Sequence, residues 1–415
     1  MTKEIITTAA GLAGLLEQQR QAFNAAGAVG AAERKRRIQT AIDLLVKYHR
    51  PLVEAMDADF GGRPRGYSLM NDVLGSLTSL KYARDHFEPW MASAPRTPFP
   101  PYDQFGAQAW VMYQPKGTVG IIGTWNAPLF TLFSPLASAL AAGNRAILKP
   151  SEVVSRTARV VAEAVVDMFD PLEVGVVTGG PDMGEAFTAQ PFDHIVFTGS
   201  TQVGKAVMRN AAQNLVPVTL ELGGKSPTIV ARSADLATAA FRIAAAKASN
   251  GGQLCVNPDV VYVAREQLED FVAALKRSFG ELFPSVAGNP DMVAVVNERH
   301  LARVESYLSD AAQAGARVLV WLEQEIACRA GHVHPLHPPC DDGGSPFGTQ
   351  TEVPARTHRS GVSRRCGRVD SGPAVRAHAL SGAAPMRYAV GPAGPTRPRQ
   401  RGRHGDAPTT TKSDP

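Results

Sequence analysis

Cysteine is scarce in this 415-residue chain: there are four, and Cys255 alone precedes residue 324. Scattered cysteines without paired spacing exclude a disulfide framework and point to a reducing, cytoplasmic setting. Long apolar runs are lacking too. The longest, Pro128 to Ala142, is interrupted by Ser134, Pro135 and Ser138. It falls short of the ~20 residues a membrane span needs and reads as a buried helix. The N-terminus, Met-Thr-Lys-Glu-Ile-Ile-Thr, has no basic region followed by an apolar stretch, so no secretory signal is expected. Nor does most of the chain carry an excess of one charge sign. The net charge is +5, but residues 324–415 hold 13 Lys and Arg against 7 Asp and Glu, leaving 30 against 31 in the first 323. The basicity belongs to the tail, and a near-neutral body offers no electrostatic footprint for nucleic acid.

What is present is an apolar content of 44%, enough for a sizeable core. Residues 3–60 predict helix, with Ile38, Ile42, Leu45 and Val46, then Leu52, Ala55 and Met56, at helical spacing. Within it, Glu33-Arg-Lys-Arg-Arg37 reads as a solvated face. The Pro-rich stretch Ala94–Tyr102 predicts an extended bridge, and Ala109–Gln114 a strand suited to pairing with another subunit. From Lys116 onward strand and helix alternate with short links. Strands are expected at 118–123, 146–149, 174–177, 194–198 and 218–221; helices are expected at 128–142, 155–169, 184–188 and 202–214. A second unit has strands near 228–230, 260–263 and 317–322 and helices at 235–249, 267–282 and 298–314.

This pattern implies an α/β protein with a Rossmann-like, doubly wound parallel sheet. A nucleotide-binding domain would span residues 1–226, with 95–115 as a bridging and oligomerisation segment. An incomplete second α/β domain would follow at 227–323. Beyond Glu323, Pro, Gly, Arg and His dominate and no apolar period persists, so 324–415 reads as an irregular or disordered tail. Cys328, His332, His334, His337 and Cys340 match no common zinc spacing, and no metal site is expected.

Several segments carry reactive or binding groups. Cys255 lies in Asn250-Gly-Gly-Gln-Leu-Cys-Val-Asn-Pro258, a Gly-rich loop after a small-residue helix, although a lone cysteine is most often a small buried hydrophobe. Glu221 closes a strand-like run in Glu-Leu-Gly-Gly-Lys-Ser-Pro. A thiol nucleophile and a carboxylate base suit covalent catalysis on a carbonyl. Thr198-Gly199-Ser200-Thr-Gln-Val-Gly204 follows a strand and opens a helix, the arrangement that receives a pyrophosphate; a plain helix cap fits equally well. Lys149 and Glu152 end another strand, either to hydrogen-bond ribose hydroxyls or as a simple surface ion pair. Asn126, in Gly123-Thr-Trp125-Asn-Ala-Pro128, is an amide donor for an oxyanion or a cap for the next helix.

In this order and at these separations, Trp125-Asn126-Ala-Pro128, Lys149-Pro-Ser-Glu152, Phe197-Thr-Gly-Ser-Thr201, Glu221-Leu-Gly-Gly-Lys225 and Gly252-Gln-Leu-Cys255 resemble the aldehyde dehydrogenase superfamily. The likeness extends from the N-terminal helix to about Leu322. Asp59-Phe-Gly61 and the Pro-rich connector are most similar to its coniferyl aldehyde dehydrogenase branch. The resemblance implies NAD-dependent oxidation of an aldehyde to its acid through a cysteine thiohemiacetal and thioester. It makes Cys255 the nucleophile, Asn126 an oxyanion donor and Glu221 the base. It assigns the cofactor to Trp125, Lys149, Glu152, Gly199, Ser200 and Leu222, with Glu152 disfavouring the 2′-phosphate of NADP. The strand near Trp110 suggests a homodimer, impaired because the C-terminal strand that would partner it is missing.

The family continues with a Glu-x-Phe-Gly-Pro motif and the remainder of a catalytic sheet. Ser345-Pro-Phe-Gly348 is not that motif. The alternative is therefore a catalytically impaired scaffold that binds only nucleotide or partners. The compositional switch after Glu323 resembles translation of GC-rich coding sequence in a shifted frame. Resequencing the gene is expected to reveal an insertion or deletion near codon 323; an unbroken frame to the stop codon would remove that reading.

Overall fold

The computed structural model describes residues 4–285 and 289–320, together with the strand segments 374–379 and 387–391. The chain opens with α1 (Ala9–Ala26) and α2 (Ala31–Phe60). Thr8 caps α1 by accepting the Gly11 N–H, and the two helices are separated at Gly27, where φ is 66° and glycine is favoured. The apolar period buries Ile38, Ile42, Leu45, Leu52 and Met56 in α2, whereas Val46 faces solvent.

The same period corrects the reading of Glu33–Arg37 as a wholly solvated face, because Arg34 and Arg37 fall on the inward side and are buried. Arg34 donates to the carbonyls of Val29 and Ala141. Arg37 pairs with Glu33 at 2.9 Å and Glu173 at 3.4 Å. Residues 61–93, for which composition suggested nothing, form α3 (Arg65–Ser68), a π-helical turn at Leu69–Leu74 and α4 (Gly75–Met91). Leu77, Leu80, Ala83 and Phe87 are buried at helical spacing.

The Pro-rich bridge contributes β1 (Ala94–Arg96), which pairs antiparallel with β2 (Ala109–Val111). The strand read as a surface for another subunit thus finds its first partner within the chain, because the turn between them brings both backbones together. Trp110 remains 55% exposed.

The central sheet has the order β5-β4-β3-β6-β7 and is parallel throughout. Its strands are β3 (Thr118–Ile122), β4 (Arg145–Lys149), β5 (Val174–Val176), β6 (His194–Gly199) and β7 (Val218–Leu222). They alternate with α5 (Phe130–Ala141), α6 (Ser155–Met168), α7 (Pro181–Thr188) and α8 (Thr201–Ala212). The doubly wound arrangement follows. One face of the sheet packs Val119, Ile121, Ala146 and Leu148 against α2, α5 and α6. The other packs Ile122, Ile147, Ile195 and Phe197 against α1, α7 and α8. β3 and β4 are buried along their whole length, as parallel strands covered by helices on both sides must be. The apolar run at 128–142 is the buried helix α5, and no helix among the described residues is long and apolar enough to cross a membrane.

The second unit has β8 (Pro227–Ile229), α9 (Leu236–Ala248), β9 (Val260–Ala264), α10 (Leu268–Leu282), α11 (Glu298–Gln313) and β10 (Arg317–Val320). α9 and α10 pack Ala240, Ile243, Phe271 and Leu275 against Val261 and Val263 of β9. Two segments of the tail that composition marks as irregular are short strands, β11 (Ala374–Ala379) and β12 (Arg387–Gly391). The second sheet then runs β10-β12-β11-β9-β8. The sequence Ala-Val-Arg-Ala-His-Ala alternates polar and apolar residues over 374–379, and a two-residue period is what a short strand needs. Residues 321–373, 380–386 and 392–415, with Cys328, His332, His334, His337, Cys340 and Ser345–Gly348, lie outside the described residues.

One buried ion pair fixes the entry to α5. Arg63 and Asp72 are both fully buried, with Nη2 to Oδ2 at 2.8 Å. Asp72 Oδ1 also accepts the backbone N–H groups of Leu129 (3.1 Å) and Phe130 (3.4 Å). A carboxylate at a helix N-terminus satisfies donors that the helix itself leaves unpaired. Removing one partner of a buried pair leaves the other charge uncompensated. Asp72→Ala is therefore expected to lower the unfolding free energy by about 3–5 kcal/mol, measured by urea denaturation; a loss under 1 kcal/mol would contradict the account.

Candidate functional site

The strand order reverses between β3 and β6, so the loops leaving these strands diverge at their C-terminal ends. Open α/β sheets bind ligands in that crevice. A cleft of about 2210 Å³ opens there. Its lining includes Trp125 and Asn126 after β3, Gly199 and Ser200 after β6, Glu221 and Leu222 on β7, and Cys255. Lys149 and Glu152 are outside that lining. They stand at the end of β4 and pair with each other, Nζ to Oε2 at 3.1 Å, with Lys149 only 3% exposed.

The turn after β3 is held from three sides. The Trp125 ring lies between Phe60, at 6.3 Å centroid to centroid, and His300, at 4.6 Å. The Asn126 carbonyl accepts from Asn250 Nδ2 at 3.0 Å and from Arg63 Nη2 at 3.3 Å. Its side-chain amide donates to the Gln253 carbonyl at 2.7 Å. Asn126 is therefore not the cap of α5; Asp72 supplies that acceptor from another element.

The loop carrying Cys255 follows α9 through three consecutive left-handed residues, Asn250, Gly251 and Gly252, at φ 53°, 60° and 76°. Glycine adopts this conformation without a Cβ penalty and asparagine tolerates it, which explains the Asn-Gly-Gly sequence. Gln253 locks the turn. Its Nε2 donates to the carbonyls of Asn250 and Ala294, each at 2.9 Å, and its Oε1 accepts the Val296 N–H at 3.1 Å. Cys255 emerges from this scaffold as a free, exposed thiol, so the reading of it as a buried small hydrophobe fails.

Glu221 lies on β7, the edge strand, where exposure alternates and places Thr219 and Glu221 on the open side. Among the described residues no hydrogen bond or ion pair engages its carboxylate. Cys255 and Glu221 both line the one cleft. Ser200 caps α8, its Oγ accepting the Val203 N–H at 3.3 Å. Gly199 permits close packing ahead of that cap: a Cβ there would stand 2.5 Å from the Phe197 ring. The remaining N-terminal N–H groups of α8 carry positive potential toward the cleft.

Several residues that build the site had no signal of their own in the sequence. Arg63 and Asp72 act by orienting Asn126, and Lys247, Asp259 and His300 line the cleft. Asn250 and Gln253 sit inside a motif already singled out, so their presence was visible although their roles were not. Among the described residues no cluster of His, Cys, Asp and Glu could hold a metal ion.

A family model described as the aldehyde dehydrogenase family matches residues 7–336. A coniferyl aldehyde dehydrogenase from Pseudomonas sp. (strain HR199) is 44% identical over 308 residues, which is 74% of this chain and 63% of that one. The chain thus spans less than two thirds of that relative's length. Among solved structures, the substrate-bound state of Staphylococcus aureus AldH superposes with a TM-score of 0.69 at 33% identity, covering 74% of this chain and 66% of the other. A Mycobacterium tuberculosis aldehyde dehydrogenase complexed with NAD+ gives 0.67 at 30% identity, over 76% and 65%.

His300, packed on Trp125, has an ordinary pKa near 6.5 that is pushed down to about 4, first by burial and then by the charges of Arg303 and Arg299. Its Nε2 is buried without a partner among the described residues. The unfolded chain therefore takes up a proton near pH 6.5 that the folded chain refuses until about pH 4. Stability is expected to fall with pH across that window. Thermal midpoints should drop less between pH 6.5 and 4 in His300→Gln than in the parent; equal drops would show that His300 does not drive the loss.

Proposed function

Because the chain belongs to the aldehyde dehydrogenase family, we propose that it oxidises an aldehyde, of the aromatic coniferyl type, to the carboxylic acid with NAD. The observation that carries this reading is the shared cleft, whose lining includes the exposed Cys255, the exposed, unpaired Glu221 and Asn126. The substrate class draws on the coniferyl aldehyde dehydrogenase that is 44% identical to this chain.

Cys255 adds to the carbonyl carbon as thiolate, giving a thiohemiacetal oxyanion. The Cys255 backbone N–H and the Asn126 amide hold that oxygen. The amide has two N–H groups, and one of them is engaged by the Gln253 carbonyl, which fixes the direction of the other. Bound NAD would supply the hydride acceptor that lets the adduct become the Cys255 thioester. Glu221 then removes a proton from water as that water attacks the thioester carbon. The acid departs and the thiol is restored.

The residues present fit such a cofactor. The capped start of α8, with Gly199 and Ser200, suits a pyrophosphate. Lys149 and Glu152 put a donor and an acceptor side by side for a ribose diol, and the Glu152 charge opposes a 2′-phosphate. Trp125 and Leu222 line the same cleft and would meet the nicotinamide. A homodimer using the exposed β2 strand, impaired by the aberrant C-terminus, and a cytoplasmic location accompany this reading.

The reduced span relative to its relatives favours a second reading, a scaffold that binds nucleotide or partners without turnover. NADH formation from coniferaldehyde and benzaldehyde by the purified 415-residue chain decides between them, and parallel assays with NADP test the cofactor. Turnover is expected, abolished in Cys255→Ala and lowered ~10²–10³-fold in Asn126→Ala. Glu221→Gln should slow release of the acid ~10²-fold or more. Absence of turnover in the parent chain would leave the scaffold reading.

A further inference from the structure

Two segments named in the mechanism, 221–226 and 255–260, run side by side, and one carboxylate is fastened to both. Asp259 Oδ1 accepts from Lys247 Nζ at 2.9 Å, and Oδ2 accepts from Lys225 Nζ. Lys247 lies in the last turn of α9, immediately before the Cys255 loop, and Asp259 lies at the end of that loop. Their contact closes the loop at its base. Lys225 follows Glu221 by one short strap, so the second contact ties the base-bearing segment to the nucleophile-bearing one. Backbone contacts follow the same line: the Val260 N–H donates to the Lys225 carbonyl at 3.1 Å, and Ser226 Oγ donates to the Cys255 carbonyl at 3.4 Å.

The arrangement is costly for a purely structural one. Lys247 and Asp259 are nearly buried, at 4% and 9% side-chain exposure. Burial pushes the Lys247 amine down, against the pull of Asp259, and Lys225 adds to the lowering. A hydrophobic pair of similar volume often serves stability as well or better. What an apolar pair does not supply is a carboxylate with two oxygens aimed at two separate segments.

We propose that Asp259 is a positioning residue, a clamp that holds the Cys255 loop and the Glu221 strap at a set separation. The proposal rests on the reading given above. It adds that the two arms serve different steps. The Lys247 arm shapes the loop that presents the sulfur. The Lys225 arm sets where Glu221 stands and therefore governs hydrolysis of the thioester. In that step the water oxygen bonds to the acyl carbon, its proton goes to Glu221, and the carbon–sulfur bond breaks.

Lys225→Met in the full chain is the discriminating variant, since Lys225 is 66% exposed and its loss carries no burial penalty for the fold. Rapid-mixing NADH measurements are expected to show a burst of one equivalent per chain at the parent rate. A steady state slowed about tenfold should follow, with KM for the aldehyde little changed. Burst and steady rates falling together would overturn the division between arms. Amide hydrogen exchange across residues 221–226 supplies a readout that needs no turnover. Exchange should be severalfold faster in Lys225→Met, faster still in Asp259→Asn and close to the parent in Asp259→Glu, while β3 and β4 are unaffected. Unchanged exchange in Lys225→Met would overturn the clamp. If the parent forms no NADH, the functional reading fails and the exchange experiment still decides this one.

Discussion

The hydrogen bond from the Asn126 amide to the Gln253 carbonyl is the constraint on which the site depends. It joins the turn that leaves the first sheet to the loop that carries the thiol. Neither partner is free to choose another geometry. The Asn126 carbonyl is gripped by Arg63 and Asn250, and Gln253 is held through both ends of its own amide. Arg63 is in turn fixed by Asp72, which also caps the start of α5. The chain of contacts thus runs from a buried charge pair to an exposed sulfur, although Arg63 Nε and Asn250 Oδ1 are buried without a partner among the described residues. Directed hydrogen bonds of this sort define one arrangement where apolar packing alone tolerates several.

The network also explains where the strain resides. Three successive left-handed residues, one of them not glycine, are held just before Cys255. Such conformations persist only where surrounding contacts over-determine them. Asn250 is 1% exposed, and its side chain reaches the Asn126 carbonyl. The backbone turn and the Asn126 segment therefore stabilise one another. Helix α9 stops because the next three residues leave the right-handed helical region, and that stop aims Cys255 into the cleft.

Much of the fold was readable before any coordinates. The five parallel strands stand within about a residue of where alternating strand and helix patterns put them, because buried parallel strands are short apolar runs bounded by turns. Periodicity also contained the information needed for Arg34 and Arg37, but residue type outweighed it: a run of charges was taken as solvated although helical spacing turned two of them inward. In residues 61–93 the π-helical turn at Leu69–Leu74 interrupts the period, but α4 beyond it carries Leu77, Leu80, Ala83 and Phe87 at helical spacing. The candidate site was legible where a residue type matched a chemical task, as for Cys255, Glu221 and Asn126. It was illegible where a residue acts through another. Asp72 is 54 positions from Asn126 and caps a helix from across the core, and nothing local to its sequence marks it.

By itself, then, the sequence determined the alternation of elements, the apolar faces and the identity of the reactive groups, since these depend on interactions between near neighbours along the chain. Only the tertiary structure decided which of those groups meet. The reversal of strand order between β3 and β6 brings Trp125, Asn126, Gly199 and Ser200 to one crevice and leaves Lys149 and Glu152 paired beside it. It also decided that Cys255 is exposed and Lys247 buried. Exposure is a property of what packs against a residue, and for both side chains those neighbours include segments far away in sequence.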